Sequence, residues 1–189
     1  MRPLFIAALL LLAACQSTPL VPQADIPYAG TPYALNVASI TVVEDYVSPK
    51  RLPNVEQLAD VRPDDAMREW VKNRLVAAGK QYTLEVDIVD ASVIRKDLLK
   101  QKTGIEGWFT KEQTEQYDGN LQVTLKIYGN RILPVAHAEA SAHQTLTLRE
   151  DATLADRKAL YHEMTANLIR AISLELDKNI RQYFSRYLL

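Results

Sequence analysis

Three polar residues on one predicted strand carry side chains that can bind a metal ion: His137, Glu139 and His143. Alternate residues of a strand share a face, so all three would point to the same side of a sheet. A strand rises about 3.3 Å per residue, which separates the two histidines by roughly 20 Å. Two ligands that far apart cannot share one ion, because zinc–nitrogen bonds are about 2 Å long. We therefore expect no metal site and interpret these residues as the solvent-facing side of a strand.

Motifs that would assign an enzymatic reaction are absent from the sequence. His162 and Glu163 begin like the zinc-protease motif HExxH, but Ala166 stands where the second histidine is needed. No GxSxG, phosphate-binding P-loop or GxGxxG pattern occurs. We predict a protein that is not an enzyme and needs no cofactor. The alternative is a catalytic site assembled from dispersed residues.

The sole cysteine, Cys15, stands directly after the most apolar segment of the chain. One positive charge, at Arg2, precedes an unbroken apolar run of eleven residues over 4–14. A membrane-spanning helix needs about 20 residues, so this run is typical of a secretory signal peptide. Residues 12–15, Leu-Ala-Ala-Cys, resemble the bacterial lipobox, in which cleavage leaves the cysteine as the lipid-modified first residue. We therefore predict a cleaved signal peptide over 1–14 and lipidation of Cys15; the alternative is a free buried cysteine beside a coincidental apolar run.

Lipidation would fix the protein to a membrane of the bacterial envelope. The lipobox resemblance implies three acyl chains, palmitate among them, and two or more chains make anchoring effectively permanent. Gln16 stands where an aspartate commonly retains lipoproteins at the inner membrane of enteric bacteria. We therefore expect the outer membrane, facing the periplasm, with the inner membrane as the alternative.

The composition is that of a globular domain. The 189 residues are 48% apolar and 24% charged, which is near the globular average and excludes disorder and a polytopic membrane protein. Lys and Arg number 22 against 23 Asp and Glu, so the chain lacks the basic surplus of a nucleic-acid binder. A single cysteine excludes an internal disulfide.

Prolines follow the cysteine and predict a stiff tether over residues 15–33. Proline-rich segments adopt polyproline II at about 3.1 Å per residue, enough to hold a domain a few tens of ångströms from the bilayer. The alternative is an arm that packs along the domain surface. The remaining residues, 34–189, are predicted to form one periplasmic domain.

Hydrophobic periodicity predicts the order β-α-β-β-β-α in this domain. The first strand covers 35–47, and the first helix runs from Pro63 to a stop at Gly79. A second strand covers 82–95, where the apolar alternation changes parity and indicates a bulge near Val89.

The next two strands are predicted to form a long hairpin through a two-residue turn at Gly129-Asn130. The first of them covers 116–128 and alternates strictly between apolar and polar residues. Pairing across that turn places Ile127 opposite Ile132. Further along, the inward residues of the second strand are small: Ala136, Ala138, Ala140 and Ala142. Small side chains there would let a helix approach the sheet closely.

A long amphipathic helix completes the domain, from Leu154 to about Tyr187. Thr153 followed by Asp156 predicts a capping box at its start. At about 1.5 Å per residue, this helix matches the strands of the hairpin in length. The sequence therefore predicts an α+β two-layer sandwich, in which two helices cover one face of a four-stranded, mostly antiparallel sheet.

The connection 95–116 combines basic and aromatic residues that suit an anionic lipid or a protein partner. Lys100 and Lys102 precede Trp108 and Phe109 in this segment. Long connections are usually functional, and lysines beside exposed aromatic side chains can contact lipid headgroups. The alternative is that the flanking strands extend into the segment and that both aromatic side chains fold onto the core.

A second candidate contact surface is the apolar C-terminus, RQYFSRYLL. Tyr183, Phe184 and Tyr187 place apolar bulk at the end of the long helix, where the core is expected to run out. Docking to a partner is one interpretation. Contact with the core is the favoured alternative.

The layout resembles that of the LptE-like lipopolysaccharide-assembly lipoproteins over about residues 33–187. Other small periplasmic lipoproteins share the same outline. The resemblance implies a non-enzymatic subunit that binds lipopolysaccharide or plugs an outer-membrane barrel. The features that carry it are residues 12–15, the helix ending at Gly79, the hairpin through Gly129-Asn130 and the helix from Leu154.

The sequence thus predicts a non-catalytic, lipid-anchored periplasmic protein that serves as an accessory subunit in assembly or transport of lipopolysaccharide or lipid. Its expected partners are the membrane, through the N-terminal lipid, and an outer-membrane barrel or envelope transport complex. One alternative is an auxiliary lipoprotein of an ABC-type lipid transporter. An alternative of a different class is a small-ligand-binding or hydrolytic lipoprotein.

Overall fold

Seven strands and two helices make up the described part of the chain. The computed structural model describes residues 25–98 and 113–189, so the predicted signal peptide and Cys15 lie outside it. The strands are β1 (Tyr33–Leu35), β2 (Ser39–Glu44), β3 (Leu75–Ala77), β4 (Thr83–Asp90), β5 (Val93–Asp97), β6 (Gln113–Tyr128) and β7 (Ala136–Arg149). The helices are α1 (Pro63–Arg74) and α2 (Leu154–Tyr183), with short 3-10 helices at Glu56–Leu58 and Ser185–Tyr187. The α+β class is as predicted.

One large sheet has the strand order β2-β4-β6-β5, and β7 pairs with the other edge of β6. β4 and β5 follow one another along the same edge of β6, so the sheet is four strands wide. A register shift between Ile88 and Asp90 confirms the bulge predicted near Val89. β2 is parallel to β4 and the remaining pairs are antiparallel, which confirms a mostly antiparallel sheet.

The first helix ends earlier than predicted. α1 stops at Arg74, and Leu75–Ala77 instead forms β3, which pairs in parallel with β1 in a separate two-stranded sheet. Gly79 is therefore not the helix stop. It allows a close backbone approach, since an added Cβ would lie 2.5 Å from the carbonyl carbon of Asn36. The helical periodicity continues past residue 74, but strand pairing with a distant segment overrides it.

The predicted first strand, 35–47, is divided between the two sheets. β1 and β2 are separated by a turn in which the Val37 N–H donates to the Leu35 carbonyl at 2.8 Å. Leu35 and Val37 are both fully buried, so this turn lies against the core rather than at the surface. The chain leaves the large sheet after Glu44.

The β6–β7 hairpin has a longer connection than the predicted two-residue turn. Ile127 pairs with Ala136 rather than with Ile132, so residues 129–135 form the loop. Pro134 lies in this loop, where its missing N–H costs no ladder hydrogen bond. The predicted register is displaced by four residues, an even number, so every inward side chain stays inward. Three consecutive inward residues of β7 are small and buried, namely Ala138, Ala140 and Ala142.

α2 forms the second layer and packs along β7 and β6. Thr153 and Asp156 form the predicted capping box at its start. The predicted apolar stripe is buried: Leu160, Met164, Leu168, Ile172, Leu176 and Ile180. α1 packs beside α2, where the Trp70 indole N–H donates to the Ser173 hydroxyl. Both helices therefore cover one face of the sheet, as predicted.

The described end of the predicted tether packs against the domain. Ile26 is partly buried against the core. The Arg74 guanidinium, at the end of α1, donates to the Thr31 carbonyl at 3.3 Å. The described residues 25–33 thus contact the domain, whereas residues 15–24 of the predicted tether lie outside the described part of the chain. No helix in the described ranges is long and apolar enough to cross a membrane.

Candidate interaction surfaces

The uncovered face of the large sheet carries the two strand histidines. His137, Glu139 and His143 are exposed there, as predicted. One ring nitrogen of His143 lies 2.8 Å from the Asn120 side-chain oxygen, and the other lies 3.2 Å from the Thr145 hydroxyl. Among the residues that the structure describes, no group of three or more metal-ligating side chains comes together. His143 is thus held by neighbours on β6 and β7.

Ion pairs compensate the charges on this face beside β4. The Lys126 ammonium donates to Asp87 and lies 3.4 Å from the Glu85 carboxylate. The hydrogen bond to Asp87 raises the pKa of Lys126, although loss of solvent acts in the opposite direction. Asp87 is buried even though the helices cover the other face. The pair therefore fixes β4 against β6.

The connection between β5 and β6 is described only at its two ends. Lys100, Lys102, Trp108 and Phe109 lie outside the described residues, so their contact role stays a prediction. At both ends the strands do extend into the segment, since β5 and β6 pair as far as Asp97 and Glu115. The strand-extension alternative is therefore correct for the described part.

The first two cations of this segment are already paired with carboxylates. The Arg95 guanidinium lies 2.9 Å from Asp97, and the Lys96 ammonium lies 2.7 Å from Asp118. Burial alone would raise the pKa of Asp118, but hydrogen bonds from Lys96 and Thr145 hold it below its usual value. Arg95 and Lys96 thus stabilise the sheet at this end.

A partly buried ion pair joins the start of β6 to the first turns of α2. Arg157 donates through both terminal nitrogens to Glu115, and the Tyr117 hydroxyl donates to the same carboxylate at 2.6 Å. Burial alone would raise the pKa of Glu115, but the bonds from Arg157 and Tyr117 outweigh it and lower that pKa. Burial and the bond to Glu115 raise the pKa of Tyr117. This cluster holds the helix start on the sheet.

The C-terminal residues are divided between core and surface. Phe184 is fully buried, so its proposed contact with a partner is wrong and the core interpretation is correct. Tyr187 packs edge-on against Tyr82, with ring centroids 5.3 Å apart. Tyr183 alone of the three predicted residues is exposed, at 51%.

Backbone hydrogen bonds hold this C-terminal segment in place. The Asn36 N–H donates to the Tyr187 carbonyl at 2.7 Å, and the Leu189 N–H donates to the Ala34 carbonyl at 2.9 Å. An antiparallel bridge joins Leu188 to the end of β1. The last residues therefore extend the small β1–β3 sheet.

A buried carboxylate holds the long connection between β2 and α1. Glu56 is 1% exposed and accepts hydrogen bonds from the hydroxyls of Tyr46 and Ser48 and from the Val93 N–H. Burial alone would raise the pKa of Glu56, but these bonds outweigh it and lower that pKa. Burial and the bond to Glu56 raise the pKa of Tyr46. Sequence reasoning missed Glu56, because its partners lie in two segments that only the fold brings together, residues 46–48 and the start of β5.

An open cleft of about 570 Å³ lies between the β6–β7 loop and the start of β4. Its volume falls within the range of about 300–1,000 Å³ that is usual for small-ligand sites. Among residues 25–98 and 113–189, the lining contains two cations and two tyrosines but no carboxylate. The lining residues are Lys80, Gln81, Tyr82, Thr83, Tyr128, Gly129, Asn130, Arg131 and Val135.

The loop beside this cleft exposes large apolar side chains. Ile132, Leu133 and Val135 are 95%, 75% and 45% exposed. Sequence reasoning placed Ile132 in the core, because the two-residue turn paired it with an inward residue. Pro134 was the available signal, since proline cannot donate to a strand ladder and is found where pairing ends. We refer to Lys80 together with residues 131–135 as the loop surface.

Comparison with known proteins leaves the family of the chain open. No known family model matches the sequence, and no curated protein matches it. Several solved structures show some similarity. A minor lipoprotein from Acinetobacter baumannii is 11% identical with a TM-score of 0.41, and the alignment covers 81% of this chain and 96% of that one.

Two further structures are more distant. A DUF330 protein from Xanthomonas campestris is 11% identical with a TM-score of 0.35, over 80% of this chain and 91% of its own. A PelC variant from Paraburkholderia phytofirmans, solved as a dodecamer, is 14% identical with a TM-score of 0.21. The alignment covers 74% of this chain and 92% of that one. These TM-scores are too low to carry an argument, and the LptE-like resemblance stays a prediction.

Proposed function

We propose that the protein is a non-catalytic accessory lipoprotein of the bacterial envelope, held to a membrane leaflet by acyl chains on Cys15. One observation carries this proposal: the only cysteine of the chain closes the Leu-Ala-Ala-Cys segment directly after an eleven-residue apolar run. Lipid attachment of this type needs a thiol, and the chain has no other. Each buried acyl CH₂ contributes about 0.8 kcal/mol, so several chains anchor a protein effectively permanently.

The surfaces of the described domain support an accessory role. The helices cover one face of the large sheet, and the other face is polar, with Lys126 paired to Asp87. An accessory subunit contributes binding surface to a complex, and the loop surface provides exposed apolar side chains for such contacts. These features suit a domain that works against a larger assembly.

The proposed assembly is one that moves or assembles lipopolysaccharide or lipid at the outer membrane, on the periplasmic side. The support for this finer assignment is the LptE-like layout read from the sequence. An outer-membrane barrel or an envelope transport complex is the corresponding partner. An ABC-type lipid transporter is the alternative complex.

Replacement of the cysteine tests the anchor. The native chain should sediment with membranes and show an acylated N-terminus by mass spectrometry, whereas Cys15→Ser should be released or remain an unprocessed precursor. Cys15→Ser combined with Ser17→Cys is the matched control, because it keeps one thiol but moves it away from the cleavage site. Mature, membrane-bound protein from either variant would contradict the proposal.

Photocrosslinking in native membranes tests the accessory role. A photoreactive residue at Trp108 or at the exposed Tyr183 should capture an envelope protein or lipopolysaccharide. The same group at the buried Phe184 is the control and should capture only the chain itself. Capture of an ABC transporter subunit would select that alternative complex. Recovery of no envelope partner from either Trp108 or Tyr183 would argue against an accessory subunit.

A further inference from the structure

The loop surface combines an apolar tip with positive charge in a way that suits a lipid bilayer. We propose that this surface docks on a bilayer that carries anionic headgroups, with Ile132 and Leu133 inserted among the acyl chains. The inference deepens the proposed function and relies on the lipid anchor for the presence of the membrane. It assigns to the folded domain a second membrane contact that is separate from Cys15.

The tip of the loop is apolar. Ile132 is almost fully exposed, Leu133 is three-quarters exposed and Val135 is partly exposed beside them. A single exposed leucine is ordinary on a protein surface, but adjacent large apolar side chains at a loop tip form a contiguous patch. Transfer of such a patch out of water is favourable, because the free energy falls in proportion to the apolar area removed from water.

The cleft beside the tip carries positive charge. Lys80 and Arg131 line it, and none of the lining residues that the structure describes carries a carboxylate, although the Tyr128 hydroxyl lies 3.4 Å from Glu85. Anionic headgroups attract lysine and arginine at a membrane surface, with a gain of about fivefold in binding for each cation. Two cations next to an apolar tip are therefore complementary to an anionic headgroup layer above acyl chains.

Aromatic residues at the base of the cleft complete the pattern. Tyr82 and Tyr128 line it together with the two cations. Tyrosine is enriched at membrane–water interfaces, where its ring contacts apolar groups and its hydroxyl stays hydrated. Tyr82 also packs against Tyr187, so the base of the cleft is tied to the C-terminal segment. The site thus has a fixed base beneath an exposed tip.

The predicted anchor leaves this end of the domain free to face the bilayer. An extended chain reaches at most about 3.6 Å per residue, so Cys15 can lie up to roughly 36 Å from Asp25. Ile26 packs against the domain close to the start of the described chain. The 12 residues of α1 span only about 18 Å. The span available to residues 15–25 therefore exceeds the length of α1. The predicted anchor does not force another part of the domain to face the bilayer.

A fluorescence experiment on the full lipidated chain tests the docking. The protein is reconstituted in vesicles of phosphatidylcholine, with or without phosphatidylglycerol. Leu133→Cys carries an environment-sensitive nitrobenzoxadiazole label, and Gln122→Cys, exposed on the uncovered sheet face, is the matched control. In vesicles with phosphatidylglycerol the label at position 133 should shift to the blue and be quenched by brominated acyl chains. The label at position 122 should remain in water.

Second substitutions separate the apolar contribution to membrane docking from the electrostatic contribution. In the labelled chain, Ile132→Ser should lower the ratio of inserted to water-exposed label by at least about tenfold. Lys80→Gln and Arg131→Gln should each lower it by about fivefold, and only when phosphatidylglycerol is present. Lys50→Gln, an exposed lysine on another connection, should leave the ratio unchanged.

Three outcomes would overturn the proposal. The first is a label at position 133 that stays in water in both kinds of vesicle. The second is insertion that does not respond to phosphatidylglycerol. The third is a blue shift in native membranes but not in lipid vesicles, which would assign the loop surface to a protein partner. The mass of the N-terminus reports lipidation separately, so failure of the anchor is distinguished from failure of the docking.

Discussion

Two segments that carry large apolar side chains, residues 132–135 and 183–189, differ in whether those side chains reach the core of this domain. Ile132 at the loop tip is 95% exposed, whereas Phe184 at the end of α2 is fully buried. Sequence reasoning placed Ile132 on the inward face of a strand, and for the C-terminal segment it favoured contact with the core over docking to a partner. Hydrophobicity alone therefore does not decide which apolar segment is covered.

Backbone pairing accounts for the difference. The Leu189 N–H donates to the Ala34 carbonyl, and the Asn36 N–H donates to the Tyr187 carbonyl, so the C-terminal segment is held against β1. The 129–135 loop has strand pairing only at its ends, where Ile127 pairs with Ala136. This pairing holds the C-terminal segment beside β1, where Phe184 is buried and Tyr187 is partly buried against the core, although Leu189 at its end is 70% exposed.

The largest effect in this comparison is expected from Phe184→Ala. Removal of a buried phenyl ring leaves a cavity and should lower the free energy of unfolding by about 3–5 kcal/mol. Urea denaturation followed by circular dichroism measures the change. A loss comparable to that of a surface substitution would mean that Phe184 is not a core residue and would restore the partner-contact interpretation.

Tyr183→Ala is the matched control for that experiment. Tyr183 precedes Phe184 in the chain but is 51% exposed. Its replacement should change the free energy of unfolding by no more than about 0.5 kcal/mol. A large loss from this variant would show that the end of α2 is sensitive to any substitution, and the comparison with Phe184 would then carry no weight.

Periodicity explains why the fate of the helix end was partly predictable. Ile180 and Phe184 continue the apolar stripe of α2 at the spacing of one helical turn, and both are buried. Tyr183 falls off that stripe and is exposed. The loop offered no such rule, because a register shift of four residues leaves the inward and outward faces of both strands unchanged.

A second connection, between β2 and α1, differs from the 129–135 loop in having a buried anchor. Glu56→Gln keeps the shape of that anchor but removes the charge that strengthens the bonds from Tyr46 and Ser48. Hydrogen bonds to charged groups contribute about 1.5–3 kcal/mol, so the free energy of unfolding should fall by that order at neutral pH. An unchanged urea midpoint would show that the carboxylate does not hold this connection.

The pH dependence of the same pair of proteins sharpens the test. The pKa of Glu56 is lower in the folded protein than in the unfolded chain. Its stabilising contribution is therefore complete above the unfolded pKa and is lost as the pH falls through the folded pKa. The difference in stability between the native protein and Glu56→Gln should narrow below about pH 4. A difference that widens on acidification would contradict this assignment.

Two glycines allow the C-terminal region and the loop to be compared directly. Gly79→Ala places a Cβ against backbone atoms of Asn36 and Val37, which cannot move without displacing the chain that pairs with the C-terminus. The free energy of unfolding should fall by about 1–3 kcal/mol. Gly129→Ala would meet side-chain atoms instead, the Tyr82 ring at 3.3 Å and Val135 Cγ1 at 3.9 Å, and should lower the free energy of unfolding by less. Equal losses in urea denaturation would mean that the two regions are packed alike.

The correct predictions follow from local rules, and the wrong ones depend on distant partners. The α2 capping box and the bulge near Val89 are each set by a few neighbouring residues. The end of α1 is set by pairing of Leu75–Ala77 with β1, far away in the chain. Glu56 is held by hydrogen bonds from the Tyr46 hydroxyl and the Val93 N–H, and the spacing of these residues in the sequence does not predict those contacts.

The smallest effect on stability is expected where the apolar side chain is most exposed. Ile132→Ser should change the free energy of unfolding by no more than about 0.5 kcal/mol in urea denaturation, because almost no area of Ile132 is buried by folding. Val135→Ser is the matched comparison in the same loop. Val135 is less exposed than Ile132, so its replacement should lower the free energy of unfolding somewhat more. A loss of several kcal/mol from Ile132→Ser would place the tip in the core after all. If the tip contributes nothing to folding yet its replacement removes membrane insertion, the exposed side chain acts in contact with the bilayer rather than in the fold.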